Sequence, residues 1–176
     1  MYLKRLELQG FKSFADKTVL EFKEGITSVI GPNGSGKSNI SDSIRWVLGE
    51  QSMKSLRGAK SEDIIFNGTQ NRKSLGFAEA SIVIDNSDGA LPVEYNEVVV
   101  TRKISKDRSV AKINGETVNL TTLKAAMSLL VDIYGQHEHQ TLLYKKNHLN
   151  FLDDFAKSDI GDLKGKVSDE YKNYKK

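Results

Sequence analysis

Gly31-Pro32-Asn33-Gly34-Ser35-Gly36-Lys37-Ser38 satisfies the pattern G-x-x-x-x-G-K-[ST] and decides how the rest of the chain is read. At average residue frequencies such a match arises by chance in fewer than roughly one in a hundred chains of this size. Its physical logic is specific. Glycines let a backbone wrap an anion without Cβ clashes, and the N-terminus of a following helix directs free N–H groups and a partial positive charge at it. Lys37 adds a point charge between the β- and γ-phosphates of a nucleoside triphosphate, and Ser38 is the expected ligand of Mg²⁺. The alternative is a glycine-rich turn capped by Ser35 or Ser38, with an exposed lysine.

The flanks fit the phosphate-loop reading. Upstream, the apolar run at residues 26–30 reads as a buried central strand feeding into Gly31. Downstream, Ile40, Ile44, Val47 and Leu48 recur at i, i+4, i+7 and i+8, one apolar helical stripe, and Gly49 stands where a helix end wants a positive φ. Further out the pattern is β. Leu6 and Leu8 alternate with charged residues, residues 19–22 repeat the pattern, and residues 64–66, 78–84 and 98–104 continue it as an antiparallel meander. Asn114-Gly115 between two short β runs predicts a two-residue hairpin turn. Leu123, Ala126, Met127 and Leu130 restore helical spacing, and a short helix is expected from Asn147, as cap, to Phe155. From Ser158 onward Ile160, Leu163, Val167 and Tyr174 stand at heptad a and d positions, with Glu170 breaking the pattern. That stretch is too short to establish a coiled coil, and a plain solvated helix is the alternative.

Composition narrows the class. The 176 residues, 38% hydrophobic and 28% charged, suit one folded domain rather than a disordered or fibrous chain. No apolar run approaches a bilayer span and the start has no uninterrupted hydrophobic stretch, so a cytoplasmic chain without a membrane partner is expected. No cysteine is present, which excludes disulfides and thiolate metal sites. A net charge of +3 is compatible with a polyanionic partner and says little more.

Other residues carry candidate chemistry. Gln136 sits in a polar loop, where an amide can reach Mg²⁺ and an attacking water, or where an ordinary polar turn needs nothing more. His137 and His139, with Glu138 or His148, lack the fourth ligand of a metal site. Two segments imitate the acidic strand that completes a phosphate-loop site, one ending in Asp85 and one in Asp132. Neither continues into glutamate, and both aspartates read as structural. Arg57, Lys60, Arg72 and Lys73 flank Gly58 and Gly68, where a solvated surface is the default. Two further readings stay open beside an ATPase piece: an interaction module that nucleotide merely stabilises, and a small phosphotransferase using Asp85 or Asp132.

Met1-Tyr2-Leu3-Lys4-Arg5-Leu6, Gly10-Phe11-Lys12-Ser13-Phe14, the loop continued through Asn39-Ile40, Arg45-Trp46-Val47-Leu48-Gly49-Glu50, Ser55-Leu56-Arg57-Gly58 and Asp63-Ile64-Ile65-Phe66 together resemble the N-terminal head of bacterial structural maintenance of chromosomes (SMC) proteins. The resemblance runs to about Ile104. Beyond it the expected F-I-N and C-R-L elements fail. Ile113-Asn114-Gly115, residues 131–140 and residues 149–153 instead look like the DNA-repair ATPase RecN, so the chain reads as a hybrid joined near Ser105.

The resemblance implies an α/β ABC-type ATPase head, its N-terminal lobe over residues 1–157, and the root of a coiled coil over 158–176. It implies ATP and Mg²⁺ as cofactors, with the nucleotide on Lys12, Ser13, Pro32, Asn33, Gly34, Ser35, Gly36, Lys37, Ser38, Asn39 and Gln136, and the metal on Ser38 and Gln136. Gln136 is then the Q-loop residue and the only catalytic candidate. Arg57 matches an arginine proposed to sense DNA or touch nucleotide, and with Lys60 it forms the DNA-contact candidates. The implied partners are a C-terminal lobe bearing the acidic Walker B strand and signature motif, a second head in an ATP-sandwiched dimer, and DNA. The implied setting is chromosome organisation or double-strand-break repair, at the nucleoid.

Overall fold

The computed structural model describes residues 1–89, 93–106, 108–127, 145–156 and 160–175. Its contacts separate two units, residues 1–132 and 133–176.

The first unit is built on a six-stranded antiparallel sheet, β1 (Tyr2–Gln9), β2 (Thr18–Glu21), β3 (Phe77–Asp85), β4 (Glu97–Ser105), β5 (Arg108–Ile113) and β6 (Glu116–Val118), in the order β2-β1-β3-β4-β5-β6. Period-two alternation does the sorting. Leu6 and Leu8 of β1, Ala78, Ala80, Ile82 and Ile84 of β3, and Val98 and Val100 of β4 are buried. Register aligns them in rows, Leu6 beside Ile82 beside Val100, then Leu8 beside Ala80 beside Arg102 beside Ala111. The expected turn between β5 and β6 is present, with Asn114 at φ 48° and Gly115 at φ 87°. Asn114 Oδ1 also accepts the Val99 N–H at 2.7 Å, which ties the hairpin to β4.

Helix α1 (Lys37–Val47) packs against β3 and β4, and Trp46 is wholly buried. The buried face differs from the apolar stripe expected. Asp42, Ser43, Trp46 and Val47 point inward, while Ile40 and Ile44 are only half-buried. An aspartate can face inward because two cations meet it there. Gly49 has φ 104°, as the helix end requires, and a Cβ on it would lie 3.1 Å from Lys124 in α2 (Leu120–Met127), which buries Leu123 and Met127.

Two expectations are corrected. The run at residues 26–30 is not a buried strand: Ile26 is 98% and Ile30 91% exposed, and no described strand pairs with it. β-branched residues favour extended backbone, but a strand exists only where neighbours meet its N–H and C=O groups, and none of the six strands lies there. Residues 64–66 are buried as expected but open on a 3₁₀ turn (Ser61–Ile64), and only Ile65 bridges, to Phe11.

Arg102 joins helix to sheet. Its Nη1 donates to the carbonyls of Trp46 and Glu50, each at 2.7 Å, and its guanidinium lies 4.8 Å from the Trp46 ring centroid. These bonds satisfy carbonyls at the C-terminal end of α1 and place a cation where the helix dipole favours one. Burial pushes the guanidinium down to about 10, which leaves it charged at neutral pH. Arg102→Met keeps the stem and deletes these bonds, and is expected to cost about 2–4 kcal/mol. A urea midpoint unchanged from the parent would contradict this role.

In the second unit α3 (Lys145–Phe155) begins two residues before the expected Asn147 cap, and α4 (Leu163–Tyr174) follows, with Lys164 Nζ 2.5 Å from Asp153 Oδ2. Leu163, Val167, Tyr171 and Tyr174 are exposed along α4. No described helix is long and apolar enough to cross a membrane.

Candidate nucleotide site

Phe11 starts the site. It is wholly buried, its ring centroid stands 5.5 Å from that of Trp46, and it bridges both Phe14 and Ile65. Gly10 lets the chain enter this turn at φ 65°, where a Cβ would meet the Phe77 carbonyl at 2.2 Å. With Phe11 fixed against α1, the next two residues arrive beside the phosphate loop. The Lys12 N–H donates to the Ile64 carbonyl at 2.7 Å, and Ser13 Oγ accepts from Asn39 Nδ2 at 2.9 Å.

The loop itself curls through Gly34 at φ 82° and Gly36 at φ 91°, the latter capping α1. Ser35 N–H reaches the Pro32 carbonyl at 3.3 Å, and the Asn39 and Ile40 N–H groups return to Gly36. The N–H groups of Asn33, Gly34, Gly36, Lys37 and Ser38 find no acceptor among the described residues. Five open donors at the start of an eleven-residue helix are a chemical fit for phosphate oxygens. Lys37 Nζ donates to the carbonyls of Gly31, at 2.5 Å, and Pro32, at 2.7 Å, so its ammonium lies folded over the same loop. Ser38 is exposed at the helix start, a position open to a cation.

An open cleft of about 630 Å³ adjoins the loop, lined in part by Lys12, Ser13, Asn39, Arg57, Asp63 and Thr69. Asp63 Oδ2 accepts the N–H groups of Lys60, at 2.8 Å, and Ala59, at 2.7 Å, and these bonds hold its carboxyl below the usual range. Thus Lys12, Ser13, Asn39 and Arg57 line one cleft, joined to the loop of residues 32–38 by the Asn39–Ser13 bond. Arg57 and Lys60 are both exposed, and Arg57 is also held by Asp42, with Nε at 3.1 Å and Nη2 at 2.7 Å from Oδ2.

Gln136, Asp132 and the His137 to His139 group lie outside the described residues. Asp85 enters the turn expected after it: its Oδ1 accepts the Ser87 N–H at 3.0 Å, and this bond first holds its carboxyl below the usual range. No cluster of metal-binding side chains stands among the described residues. Asp42 was missed by motif reading. Its signal was an acidic residue sharing the i, i+4 spacing with Trp46 on the inward face.

Comparison with known proteins places this arrangement. The chromosome partition protein Smc of Mycolicibacterium paratuberculosis is 55% identical over 129 residues, 73% of this chain and 11% of that protein. A chain solved in a study of the ATP-driven dimerisation and DNA-stimulated activation of SMC ATPases superposes with a TM-score of 0.71 at 34% identity, covering 83% of this chain and 90% of that one. The Smc head domain of Pyrococcus furiosus, with an extended coiled coil and bound to the C-terminal domain of ScpA, superposes with a TM-score of 0.69 at 39% identity, over 72% of this chain and 32% of that one. The chain therefore spans about a tenth of the length of the curated relative. These likenesses support the SMC reading and give none to a RecN-like segment from residue 105. The model of the RecF/RecN/SMC N-terminal domain matches residues 2–133, three quarters of the sequence, and the chain belongs to that family.

Proposed function

We propose that this chain is the nucleotide-binding N-terminal lobe of an SMC-type ATPase head that serves chromosome partition. The observation that supports it most is the loop at residues 31–38, with five open N–H donors and the Lys37 ammonium gathered at the start of α1. Residues 33–38 would hold the phosphates, with Lys12, Ser13 and Asn39 beside them, and Ser38 and Gln136 would hold Mg²⁺. The metal would supply positive charge against the phosphate oxygens. The role of this chain is to grip and orient. Its open N–H groups replace water around the phosphates without reorganising, and Lys37 exchanges two carbonyl acceptors for anionic oxygens. Calorimetry with MgATP tests the reading: saturable heat supports it, and none at millimolar nucleotide from a folded chain overturns it.

The exposed run at residues 26–30 supports a C-terminal lobe as partner. Exposed at Ile26, Val29 and Ile30 and without a strand partner among the described residues, it has the character of a strand whose neighbours another lobe supplies. A second head is the further partner, as ATP-driven dimerisation is attributed to the SMC ATPases of the similar structure. The RecN-like role in repair rests on the sequence motifs after Ser105 alone.

DNA is proposed at the loops that hold Arg57 and Lys60. Phosphate contacts from such side chains release counterions, so retention of duplex DNA is expected at low salt and lost by a few hundred millimolar, whatever the sequence. Retention indifferent to salt, or none at low salt, would contradict it.

A further inference from the structure

Asp42 is the most deeply buried acidic side chain described, 3% exposed, and it stands on α1 one turn beyond the phosphate loop. One of its oxygens, Oδ2, accepts from Lys12 Nζ at 2.5 Å and from Arg57 Nη2 and Nε at 2.7 and 3.1 Å. Lys12 Nζ also donates to the Leu56 carbonyl, next to Arg57 in sequence. The loop of residues 10–17, the helix and the loop of residues 51–58 are thereby tied through a single carboxylate. Both cations sit on left-handed backbone, Lys12 at φ 48° and Arg57 at φ 54°, although neither is glycine. Backbone in that region is held only where the surroundings over-determine it, and such positions gather at functional sites.

One carboxylate meets two cations, and the cleft that Lys12 and Arg57 line also holds Asp63, so its wall carries charge of both signs. The two cations are also placed differently. Lys12 is 12% exposed, whereas Arg57 is 51% exposed and its Nη1 has no acceptor among the described residues. A guanidinium can lend one edge to a carboxylate and keep another for a second anion, which an ammonium cannot do with the same geometry.

We propose that Asp42 is a positioning residue for the nucleotide site: it fixes the Arg57 guanidinium on the cleft wall and acts on a bound triphosphate only through that arginine. This rests on the nucleotide reading of the cleft. Because Asp42 rides on the helix that the phosphate loop opens into, loop and arginine hold a constant relation to each other.

The test pairs a binding cycle with a spectroscopic signature. Asp42→Asn is expected to weaken MgATP about tenfold in calorimetry, Arg57→Ala to do likewise, and the double variant to lose no more than either alone. Losses that multiply in the double variant would overturn the inference. In nucleotide-free protein, the Arg57 Nε–H resonance, assigned by its absence in Arg57→Ala, is expected to stand apart from those of free arginines and to join them in Asp42→Asn. A resonance unmoved by Asp42→Asn would overturn it too. Should Asp42→Asn not fold, Lys12→Met/Asp42→Asn removes one charge of each sign from the buried side and takes the same resonance measurement. A parent that binds no MgATP defeats the nucleotide reading, and the resonance then judges by itself whether Asp42 places Arg57.

Discussion

Purified alone, the chain is expected to bind MgATP and to turn over essentially none of it, and addition of the separately expressed C-terminal lobe of a matching head is expected to raise turnover by at least roughly a hundredfold. Phosphoryl transfer to water needs the phosphates gripped, a water positioned and developing charge neutralised, each supplying a share of the barrier reduction. The loop of residues 31–38 offers the grip. Asp85, the acidic strand end that the structure describes, accepts the Ser87 N–H in a turn. Raising the concentration of this chain alone is not expected to rescue turnover. Multiple turnovers by the isolated chain, abolished by Lys37→Ala, would instead favour the self-contained phosphotransferase.

The second large effect is expected at Lys37. Its ammonium already lies over the loop, 2.5 and 2.7 Å from the Gly31 and Pro32 carbonyls. A triphosphate offers it oxygens of full negative charge, and a charge-assisted hydrogen bond contributes about 1.5–3 kcal/mol. Lys37→Ala is therefore expected to weaken MgATP at least tenfold while leaving the fold intact, since among the described residues the ammonium hydrogen-bonds only to loop carbonyls. The effect exceeds that of any single N–H donor in the loop, because the lysine brings a net charge.

Local chemistry is what the sequence discloses best. The Asn114-Gly115 turn and the Gly49 helix end were readable because each needs a positive φ that few residues accept, and that requirement lies within two residues. The strands β1, β3 and β4 were readable for a similar reason, since alternation reports burial on one face. Pairing is another matter. Residues 26–30 have strand composition, yet whether a neighbouring strand stands beside them depends on chain far away or on another chain. The buried face of α1 was misjudged for a related cause. Counting apolar residues selected Ile40 and Ile44, while Asp42 turned inward because Lys12 and Arg57, thirty and fifteen residues distant, neutralise it. At residues 64–66 burial was legible and conformation was not, because a 3₁₀ turn and a short strand can bury the same side chains.

Within the candidate site, the motif located the loop, and the resemblance brought Lys12 and Ser13 to it before any geometry was known. What neither supplied was the connection among them. The Asn39–Ser13 bond and the carboxylate shared by Lys12 and Arg57 are long-range contacts, visible only once the two loops are folded against α1.

The central claim, that residues 31–38 bind nucleotide through the donors they present, is tested most directly by titrating MgATP into the parent chain and its Lys37→Ala form in a calorimeter, with far-ultraviolet circular dichroism confirming that both are folded. The account predicts one saturable site in the parent and an affinity at least tenfold weaker in the variant. Equal affinities in two folded proteins would contradict it.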